Sequence, residues 1–471
     1  MEKMVKDITS IDKDFCKWYT DVVVKAELID YSNVRGCFIL RPYGFSIWEN
    51  IVSIVNQKFK EIGVENVSMP ILIPENLLQK EKNHISGFAP EVAWVTMGGE
   101  EKFAERLCIR PTSEVLFCSH FSKIIQSWRD LPKLYNQWCS VVRWEKTSRP
   151  FLRSVEIHWQ EGHTVHETEQ NAKDFTLKML NIYASFFEKT LCIPVVLGKK
   201  TESEKFAGAE TTYTVECMMK DGKALQSATS HYFGNKFSKA FGIKFKNKKN
   251  VEEFVYQTSW GLSTRVIAGI IMTHGDNDGL VLPPDIAPIQ VVIIPIQLKN
   301  EDVLKKSYEI FDKINKKLRT KLDISDKSPG WKFANYEMKG VPIRIEIGLR
   351  DIKNDECQLV RRDTRKKYAF SFDNIEFSIS NMLDDIKKCM YVSALKIRDK
   401  KILSINSVDE CRNANEGFIK LFFCGTEECE KSIKENFGLS SICIPIDSKL
   451  FNKCLICGKY VSFETYFGKS Y

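Results

Sequence analysis

Stretches of the chain in which apolar residues recur every three or four positions alternate with stretches in which they recur every second one, and the changes of period mark its elements. Residues 1–34 read as a helical lead-in, with Trp18, Val22 and Leu28 set among charges. Phe38 to Leu40 reads as a short strand that turns at Arg41-Pro42, and 45–62 as an amphipathic helix. Val67 to Ile73 predicts a strand that Pro70 confines to an edge or a special packing site. Short strands crowd residues 92–160, 170–190 is helical, and 211–256 returns to strands and loops. Gly261 to His274 then predicts a helix with Val266, Ile267, Ile270 and Ile271 on one face.

A break follows at Leu282-Pro283-Pro284-Asp285, and the pattern changes beyond it. Gln290 to Ile294 reads as an apolar strand, 301–320 as a Lys-rich helix, 329–339 as a shorter helix and 342–347 as a strand. Such alternation predicts a compact α/β unit with a mainly parallel sheet. From about 391 the pattern is mixed, and the chain divides into 1–285, 286–390 and 391–471.

Length and composition narrow the class. A chain of 471 residues, 43% apolar and 28% charged, is globular rather than disordered. No stretch approaches the roughly 20 apolar residues of a membrane span. The first ten residues lack the apolar run of a signal peptide and the acid-poor character of a transit peptide. Fifteen cysteines, an odd count mostly in apolar surroundings, read as reduced thiols, so the expected compartment is the cytoplasm. A net charge of +8 permits a nucleic-acid partner without requiring one. The lysine run Lys244 to Lys249 reads as a solvated loop, with nucleic-acid contact as the second reading.

Chemistry concentrates in residues 141–163. Arg143 and Glu145 fall on one face of a strand by period two, Arg153 on a polar turn, and Trp159 and Glu161 on a returning strand. Two arginines, two carboxylates and an aromatic suit a site for phosphates, an amine and a flat ring. The plain alternative is a solvated hairpin with cross-strand ion pairs. In Ser259 to Arg265, Gly261 and Ser263 suit a strand-to-helix turn. Arg265 falls in the first helical turn, where a cation opposes the helix dipole and needs a phosphate, carboxylate or stacked base. Arg110-Pro111-Thr112-Ser113-Glu114 pairs a hydroxyl with a carboxylate, a cradle for an ammonium group. Gln226 to His231 reads as a loop of small polar residues able to approach a nucleotide. Cys424-x4-Cys429 with Cys454-x2-Cys457 has the spacing of a tetrahedral zinc site, with leftover buried thiols as the alternative.

Taken in order, Arg110-Pro-Thr-Ser-Glu, Arg143-Trp-Glu with Phe151-Leu-Arg153, Trp159-Gln-Glu-Gly-His163, Ala228-Thr-Ser-His231 and Gly261-Leu-Ser-Thr-Arg265 resemble the class II aminoacyl-tRNA synthetases. Among these the chain closely resembles the prolyl-tRNA synthetase family of archaeal and eukaryotic-cytosolic type. Phe88-Ala-Pro-Glu-Val-Ala-Trp94, Lys205-Phe-Ala-Gly208, His274-Gly-Asp276, Ser328 to Phe333, Lys339 to Arg344 and Phe467 to Tyr471 support it along the whole chain.

The resemblance implies an α+β protein. A class II catalytic domain on an antiparallel sheet with flanking helices (1–285) precedes an α/β anticodon-binding domain (286–390) and a small α/β zinc-binding-like domain (391–471). It implies activation of L-proline with ATP and Mg²⁺, then transfer of the prolyl group to the 3′ end of tRNA(Pro). The carboxylate nucleophile is already ionised, so alignment and neutralisation of phosphates are what catalysis needs.

By the resemblance, Arg143 and Arg265 are catalytic. Arg143 bridges proline and the α-phosphate, Glu145 accepts from adenine, Arg153 holds the outer phosphates, and Arg265 stacks on the base. Ser154, Gln226, Thr229 and Ser263 complete the ATP site, with Gln226 near the metal. Thr112 and Glu114 receive the proline ammonium; Trp159, Phe206 and His231 wall its ring, and Glu161 and His163 belong to the same pocket. Arg344, Glu346, Arg350 and Asp351 are candidate anticodon readers, since Arg and Glu complement guanine edges. A strand-end ion pair is their other reading.

Cys424, Cys429, Cys454 and Cys457 are the implied ligands of a structural Zn²⁺, and Tyr471 is expected to fold back toward the catalytic domain. A homodimer built through the segment around Pro70 is also implied. Arg153 and Gly261 leave no room for an editing insertion, so proofreading is expected elsewhere. Three departures stand out: a 146–150 loop one residue shorter than in the human-type pattern, Ser227-Ala228 for a usual Gly-Gly, and Leu349 for a common proline. These departures bear on ATP affinity and inhibitor binding. A non-catalytic homologue, or a synthetase for another amino acid such as threonine, are the rival readings. The phosphate arginines stand against the first, and the Thr-x-Glu and Trp-Gln-Glu-Gly-His motifs against the second.

Overall fold

The computed structural model describes residues 5, 8–84, 91–413, 416–446, 451–461 and 463–471, without the side chains of 80–84 and 413. The Phe88-Ala-Pro part of the 88–94 motif and most of the first seven residues lie outside the described residues.

One eleven-stranded sheet organises the chain. Its strands are β1 (Glu65–Asn66), β2 (Lys133–Val142), β3 (Glu156–His166), β4 (Val195–Lys199), β5 (Thr211–Met218), β6 (Ala224–Gly234) and β7 (Tyr256–Ser263), continued by β8 (Ile402–Ser404), β9 (Phe418–Phe422), β10 (Ser440–Pro445) and β11 (Glu464–Gly468). The spatial order is β8-β9-β11-β10-β4-β5-β6-β7-β3-β2-β1. The outermost pair at each end is parallel and the pairs between are antiparallel. The fold is therefore α+β, with the antiparallel sheet and flanking helices expected.

Helices α1 (Phe15–Lys25), α2 (Pro42–Glu61), α3 (Glu114–Ile124), α4 (Glu169–Ser185) and α5 (Arg265–His274) flank the catalytic part. Trp18, Val22, Ile47, Ile51 and Phe59 meet Leu180, Tyr183, Val266 and Ile270 in one fully buried cluster against the sheet. Alternation along β3 divides its side chains between two environments. Gln160 accepts from the Tyr183 hydroxyl at 2.5 Å, and Gly162 lies against Trp260. Trp159, Glu161 and His163 point into a cavity on the other face. Gly162 is required: a Cβ there would lie 2.2 Å from the buried indole of Trp260.

Several sequence expectations are corrected. β2 ends at Val142 and β3 begins at Glu156, so Arg143 and Glu145 lie in the connecting loop rather than on a strand face. The Glu145 N–H turns back on the Arg143 carbonyl at 2.8 Å, which ends the alternation. Gln226 to His231 is not a loop but the middle of β6, paired with β5 and β7; its small polar residues suit a strand that forms a cavity floor. Gly261 to Ser263 belongs to β7, and the helix begins at Arg265. Residues 67–71 are not a strand, since Pro70 lacks an N–H for a ladder. Instead Val67 donates to the Asn136 carbonyl at 2.8 Å and Met69 to the Gln137 side chain at 3.0 Å.

Beyond 286, a five-stranded sheet contains Thr320–Leu322, Val291–Pro295, Ile343–Ile347, Glu356–Arg361 and Lys367–Ser371 in that order. Its first two pairings are parallel and the last two antiparallel, so it is mixed rather than mainly parallel. The helix read over 301–320 stops at Ile314. Helix α6 (Ile375–Lys400) runs unbroken across the expected 390/391 boundary. The final segment, with helix α7 (Glu427–Phe437), continues the catalytic sheet where Ile444 and Pro445 pair with Lys199 and Gly198.

Candidate active site

A cavity of about 290 Å³ opens above β3, β5, β6 and β7. Thr112, Glu114, Arg143, Trp159, Glu161, His163, Phe206, Gln226, Thr229, His231, Ser263 and Arg265 all line it, although they come from six separate stretches of chain. Glu145 and Arg153 are exposed on the 143–155 loop and Ser154 is buried within it; the cavity lining does not include these three. Glu145 and Arg153 are nevertheless close enough for their charges to act on Arg265.

The arginines form an anion site. Arg143 donates from Nε to the Pro111 carbonyl at 3.1 Å, and its guanidinium lies 5.0 Å from the Trp159 ring centre. Arg265 donates to the Leu152 carbonyl at 3.2 Å, and its N–H bonds the Ser263 hydroxyl at 3.2 Å. Burial lowers the pKa of both guanidiniums, and for Arg265 the charges of Arg143 and Arg153 lower it further. Such mutual repulsion is relieved by a bound phosphate. Gly261 keeps the floor flat, since a Cβ there would lie 2.8 Å from the Gln160 carbonyl.

Beside the arginines is an amine pocket. Thr112 donates to Glu114 at 2.5 Å. Burial raises the pKa of Glu114 and the charge of Glu161 adds to the rise, against the pull of His163 and the Thr112 hydrogen bond. A cation placed beside this carboxyl would offset the cost of its ionisation. Glu161 holds the frame: it accepts from Ser113 N at 3.1 Å, Ser113 Oγ at 2.5 Å, Gln137 Nε2 at 2.6 Å and His163 Nε2 at 3.1 Å. Burial opposes its ionisation, but the bonds from His163, Ser113 and Gln137 outweigh burial and hold its pKa down. Glu161 and His163 thus line the pocket while their polar atoms engage each other.

His231 bonds Thr212 through Nδ1 at 3.0 Å, and burial pushes its pKa down to about 3. It is therefore a neutral wall, with Phe206 4.9 Å away. Glu114, Glu161 and His163 also lie close enough together to hold a metal ion. Glu161 already accepts from Ser113, Gln137 and His163, and Glu114 from Thr112, so much of what a metal would need here is in use.

Sequence reasoning missed several supporting residues. Glu216 lies opposite Gln226 in the β5–β6 register, buried and ion-paired to Lys200 at 2.8 Å. Its only signal was a lone carboxylate in the strand Thr211–Met218. Arg110, buried, donates to the Met69 carbonyl at 2.7 Å and the Ser140 carbonyl at 2.9 Å, tying the Pro70 segment to the site. Glu204 also reaches the cavity. Of the departures, Ser227 occupies a bulge between Gln226 and Ala228, and its hydroxyl donates to the Leu225 carbonyl at 2.9 Å. The short loop closes where Arg149 N bonds the Arg153 carbonyl at 2.7 Å and Arg153 N bonds the Arg149 carbonyl at 2.9 Å, and Tyr19 donates to the Pro150 carbonyl at 2.7 Å. Leu349 donates its backbone N–H to the Gln297 side chain at 3.0 Å, a bond that proline cannot make, and its side chain packs against the core of this domain.

The four candidate anticodon readers are held differently from one another. Arg344 and Glu346 are buried and bonded to each other at 3.0 Å, and Arg344 also bonds Glu337 at 2.9 Å. The Asp351 carboxylate accepts from Gly348 N at 2.7 Å, and Arg350 is exposed. The ion-pair reading therefore accounts for Arg344 and Glu346 in this conformation.

Outside the cavity lining, the sulfurs of Cys424, Cys429, Cys454 and Cys457 all lie within 4.8 Å of one another. A tetrahedral Zn–S distance of about 2.3 Å separates sulfurs by about 3.8 Å, so the set fits. Gly458, at φ +71, completes the Cys454–Cys457 turn by bonding the Cys454 carbonyl at 2.9 Å. Tyr471 docks on the catalytic part: its N–H bonds the Ala224 carbonyl at 3.0 Å and its hydroxyl bonds Asp221 at 2.6 Å.

Comparison with known proteins agrees along the length of the chain. Residues 95–274 match the tRNA synthetase class II core domain (G, H, P, S and T), 290–382 an anticodon binding domain, and 408–471 the C-terminal domain of prolyl-tRNA synthetases. The antiparallel sheet, the cavity above it and these matches define a class II aminoacyl-tRNA synthetase. A proline–tRNA ligase of Ruminiclostridium cellulolyticum is 56% identical over all of this chain and 99% of its own, and proline–tRNA ligase 2 of Bacillus cereus is 55% identical over the full length of both. The prolyl-tRNA synthetase of Cryptosporidium parvum, solved with halofuginone and AMPPNP, superposes with a TM-score of 0.94 at 40% identity over 99% of each chain. The chain belongs to the prolyl-tRNA synthetase family, and its activity is that of a proline–tRNA ligase. The rival readings, a non-catalytic homologue and a ligase for another amino acid, give way to this. Bacterial relatives at this identity do not support the archaeal and eukaryotic-cytosolic label as a statement of origin.

Proposed function

We propose that the cavity holds L-proline and ATP side by side, with Arg143 at their junction. The observation that carries this is the adjacency of a cluster of buried guanidiniums, Arg143 and Arg265 with Arg153 nearby, to a buried carboxyl, Glu114, in one cavity. Glu114 and Thr112 take the ammonium, and Trp159, Phe206 and neutral His231 enclose the ring. The proline carboxylate attacks the α-phosphorus, the bond to the bridging oxygen breaks, and pyrophosphate leaves with the negative charge. Arg143 and Arg153 stabilise charge that grows on the phosphates in this step. Arg265 stacks on adenine, Glu145 accepts from its amino group, and Ser154, Thr229 and Ser263 complete the nucleotide site. Gln226, with Glu216 opposite, is where Mg²⁺ would be held; the metal supplies further phosphate neutralisation. The 3′-terminal hydroxyl of tRNA(Pro) then attacks the activated carbonyl and AMP leaves.

The three-part division into 1–285, 286–390 and 391–471 accommodates the three family matches. Its architecture is that of the archaeal and eukaryotic-cytosolic type, with no insertion between Arg153 and Gly261 and a structural Zn²⁺ on the four cysteines. Arg350, with Arg344, Glu346 and Asp351 behind it, belongs to the anticodon surface. A homodimer forms through the sheet of Leu72–Pro74, Trp94–Gly98 and Glu101–Ile109, where Ile71, Leu72, Trp94, Met97 and Phe103 are exposed together. Among the described residues no helix is long and apolar enough to cross a membrane, and a cytoplasmic location suits a tRNA substrate. Proline offers three ring methylenes, each worth about 1–3 kcal/mol, so alanine and cysteine are incompletely rejected and proofreading falls to another protein.

ATP–pyrophosphate exchange across an amino-acid panel tests the reading. Proline drives the fastest exchange, with weak alanine and cysteine signals. Exchange led by threonine or serine, or none from folded protein, would overturn it.

A further inference from the structure

The turn that carries Phe206 to the pocket is fastened to a carboxylate in the C-terminal segment. Thr201 follows the end of β4, and its carbonyl accepts from Glu204 N at 3.2 Å and Lys205 N at 3.0 Å, making 201–205 one tight turn. Phe206 comes next, and its N–H bonds Thr212 Oγ1 at 3.0 Å, the hydroxyl that also holds His231. That is one anchor. The other is Glu430, in the first turns of α7 and next in sequence to Cys429 of the four-thiol cluster.

Glu430 is buried at 8% exposure, and hydroxyls hold it rather than a cation. Ser203 donates to its Oε2 at 2.6 Å, Thr201 to its Oε1 at 3.1 Å, and Ser441 of β10 bonds Oε1 as well. Thr201 and Ser441 also meet at 2.9 Å. Burying a carboxylate in this way costs free energy unless its lone pairs are filled. Here they are filled by two hydroxyls of the pocket turn and one of the neighbouring strand, with the N-terminal end of α7 favouring the charge. Lys200, just before the turn, adds a bond from Nζ to the Ile442 carbonyl at 2.7 Å while pairing Glu216.

We infer that Glu430 is a positioning residue for proline recognition: through Ser203 and Thr201 it sets the 201–205 turn and thereby the place of Phe206 against the proline ring. The C-terminal segment thus shapes the amino-acid pocket, beyond lengthening the sheet. ATP binds on β6, β7 and the 143–155 loop, none of which Glu430 touches. Removing Glu430 therefore separates the two substrates kinetically. This inference rests on the cavity being the proline pocket.

The experiment uses full-length enzyme and proline-dependent ATP–pyrophosphate exchange for Glu430→Ala, Glu430→Gln and Ser203→Ala. Misplacing a positioning contact by a fraction of an ångström lowers productive binding on the order of ten-fold. Glu430→Ala is expected to raise KM for proline by about that factor and leave KM for ATP within about two-fold. Glu430→Gln recovers part of the loss, and Ser203→Ala shows a smaller rise of the same kind. Limited trypsin digestion gives a readout independent of catalysis: cleavage after Lys205 speeds up in Glu430→Ala. If Glu430→Ala does not fold, Ser203→Ala alone decides. Equal changes in both KM values, or no change in KM for proline with unaltered cleavage at Lys205, would overturn the inference. Failure of wild-type enzyme to exchange with proline would instead sink the pocket assignment on which it rests.

Discussion

Replacing Glu161 by glutamine tests the frame of the amine pocket with one atom. The carboxylate accepts Ser113 Oγ and Gln137 Nε2 on one oxygen, with the Cys139 thiol at 3.7 Å, and Ser113 N and His163 Nε2 on the other. An amide NH₂ on the first side meets Gln137, whose own oxygen already serves Met69 N. On the second side it meets Ser113 N, a backbone donor that cannot reorient. Either choice leaves at least one buried donor unsatisfied, at about 1–3 kcal/mol, and the remaining bonds lose their charge-assisted character. The total is about 2–4 kcal/mol, and it falls on Ser113, directly between Thr112 and Glu114. Glu161→Gln should therefore lower kcat/KM for proline by roughly 10–100-fold in pyrophosphate exchange, with KM for ATP little changed. The wild-type carboxyl titrates below its unfolded value, so its contribution to stability is complete above the ordinary carboxylate range and is lost as pH falls through the folded-state value. In the variant that part of the acid sensitivity disappears. A variant within two-fold of wild type for proline, unfolding at the same denaturant concentration, would refute this account of the pocket.

Other outcomes follow from single contacts. Gly162→Ala drives a Cβ to 2.2 Å from the fully buried Trp260 ring; overpacking of about 3 kcal/mol should appear as a lowered urea midpoint. Arg362, 1% exposed at its side chain, bonds both oxygens of Asp276 at 2.7 Å and the Glu337 carbonyl at 2.8 Å. Arg362→Ala removes these bonds while Asp276 keeps Arg365 and Glu337 keeps Arg344, and should cost about 2 kcal/mol. Burial raises the pKa of Asp276, but the bonds and charge of Arg362 outweigh it and hold it down to about 2. The pair's contribution is thus present above about pH 4 and lost toward pH 2, so Arg362→Ala should flatten the fall in unfolding midpoint below pH 4. For the four thiols, elemental analysis of Cys424→Ser should show loss of the zinc carried by wild type; unchanged zinc content would remove Cys424 as a ligand.

Much of the site was legible because its groups are locally extravagant. An arginine in the first turn of an apolar helix, and charges packed around Trp159, have few uses in a core, and Arg143, Arg265, Thr112 and Glu114 do share one cavity. Local patterns misled where small polar residues served a strand. Gln226 to His231 has turn composition, yet pairing on both sides makes it sheet. What Glu161 does could not be read from its neighbours in sequence, because Gln137 lies on another strand and Ser113 at the head of α3. The same holds for Glu216 and Glu430, whose partners are supplied by tertiary structure. The joining of the last segment to the catalytic sheet depends on the Ile444–Lys199 pairing, which no local periodicity announces.

The central claim is that Arg143 acts where proline meets the α-phosphate. Single-turnover formation of prolyl-adenylate from α-labelled ATP measures that step directly, free of tRNA and product release. Wild-type enzyme should form adenylate with proline, and Arg143→Ala should slow it at saturating proline and ATP by on the order of 10²–10³-fold. An Arg143→Ala enzyme that forms prolyl-adenylate at the wild-type rate would contradict the account.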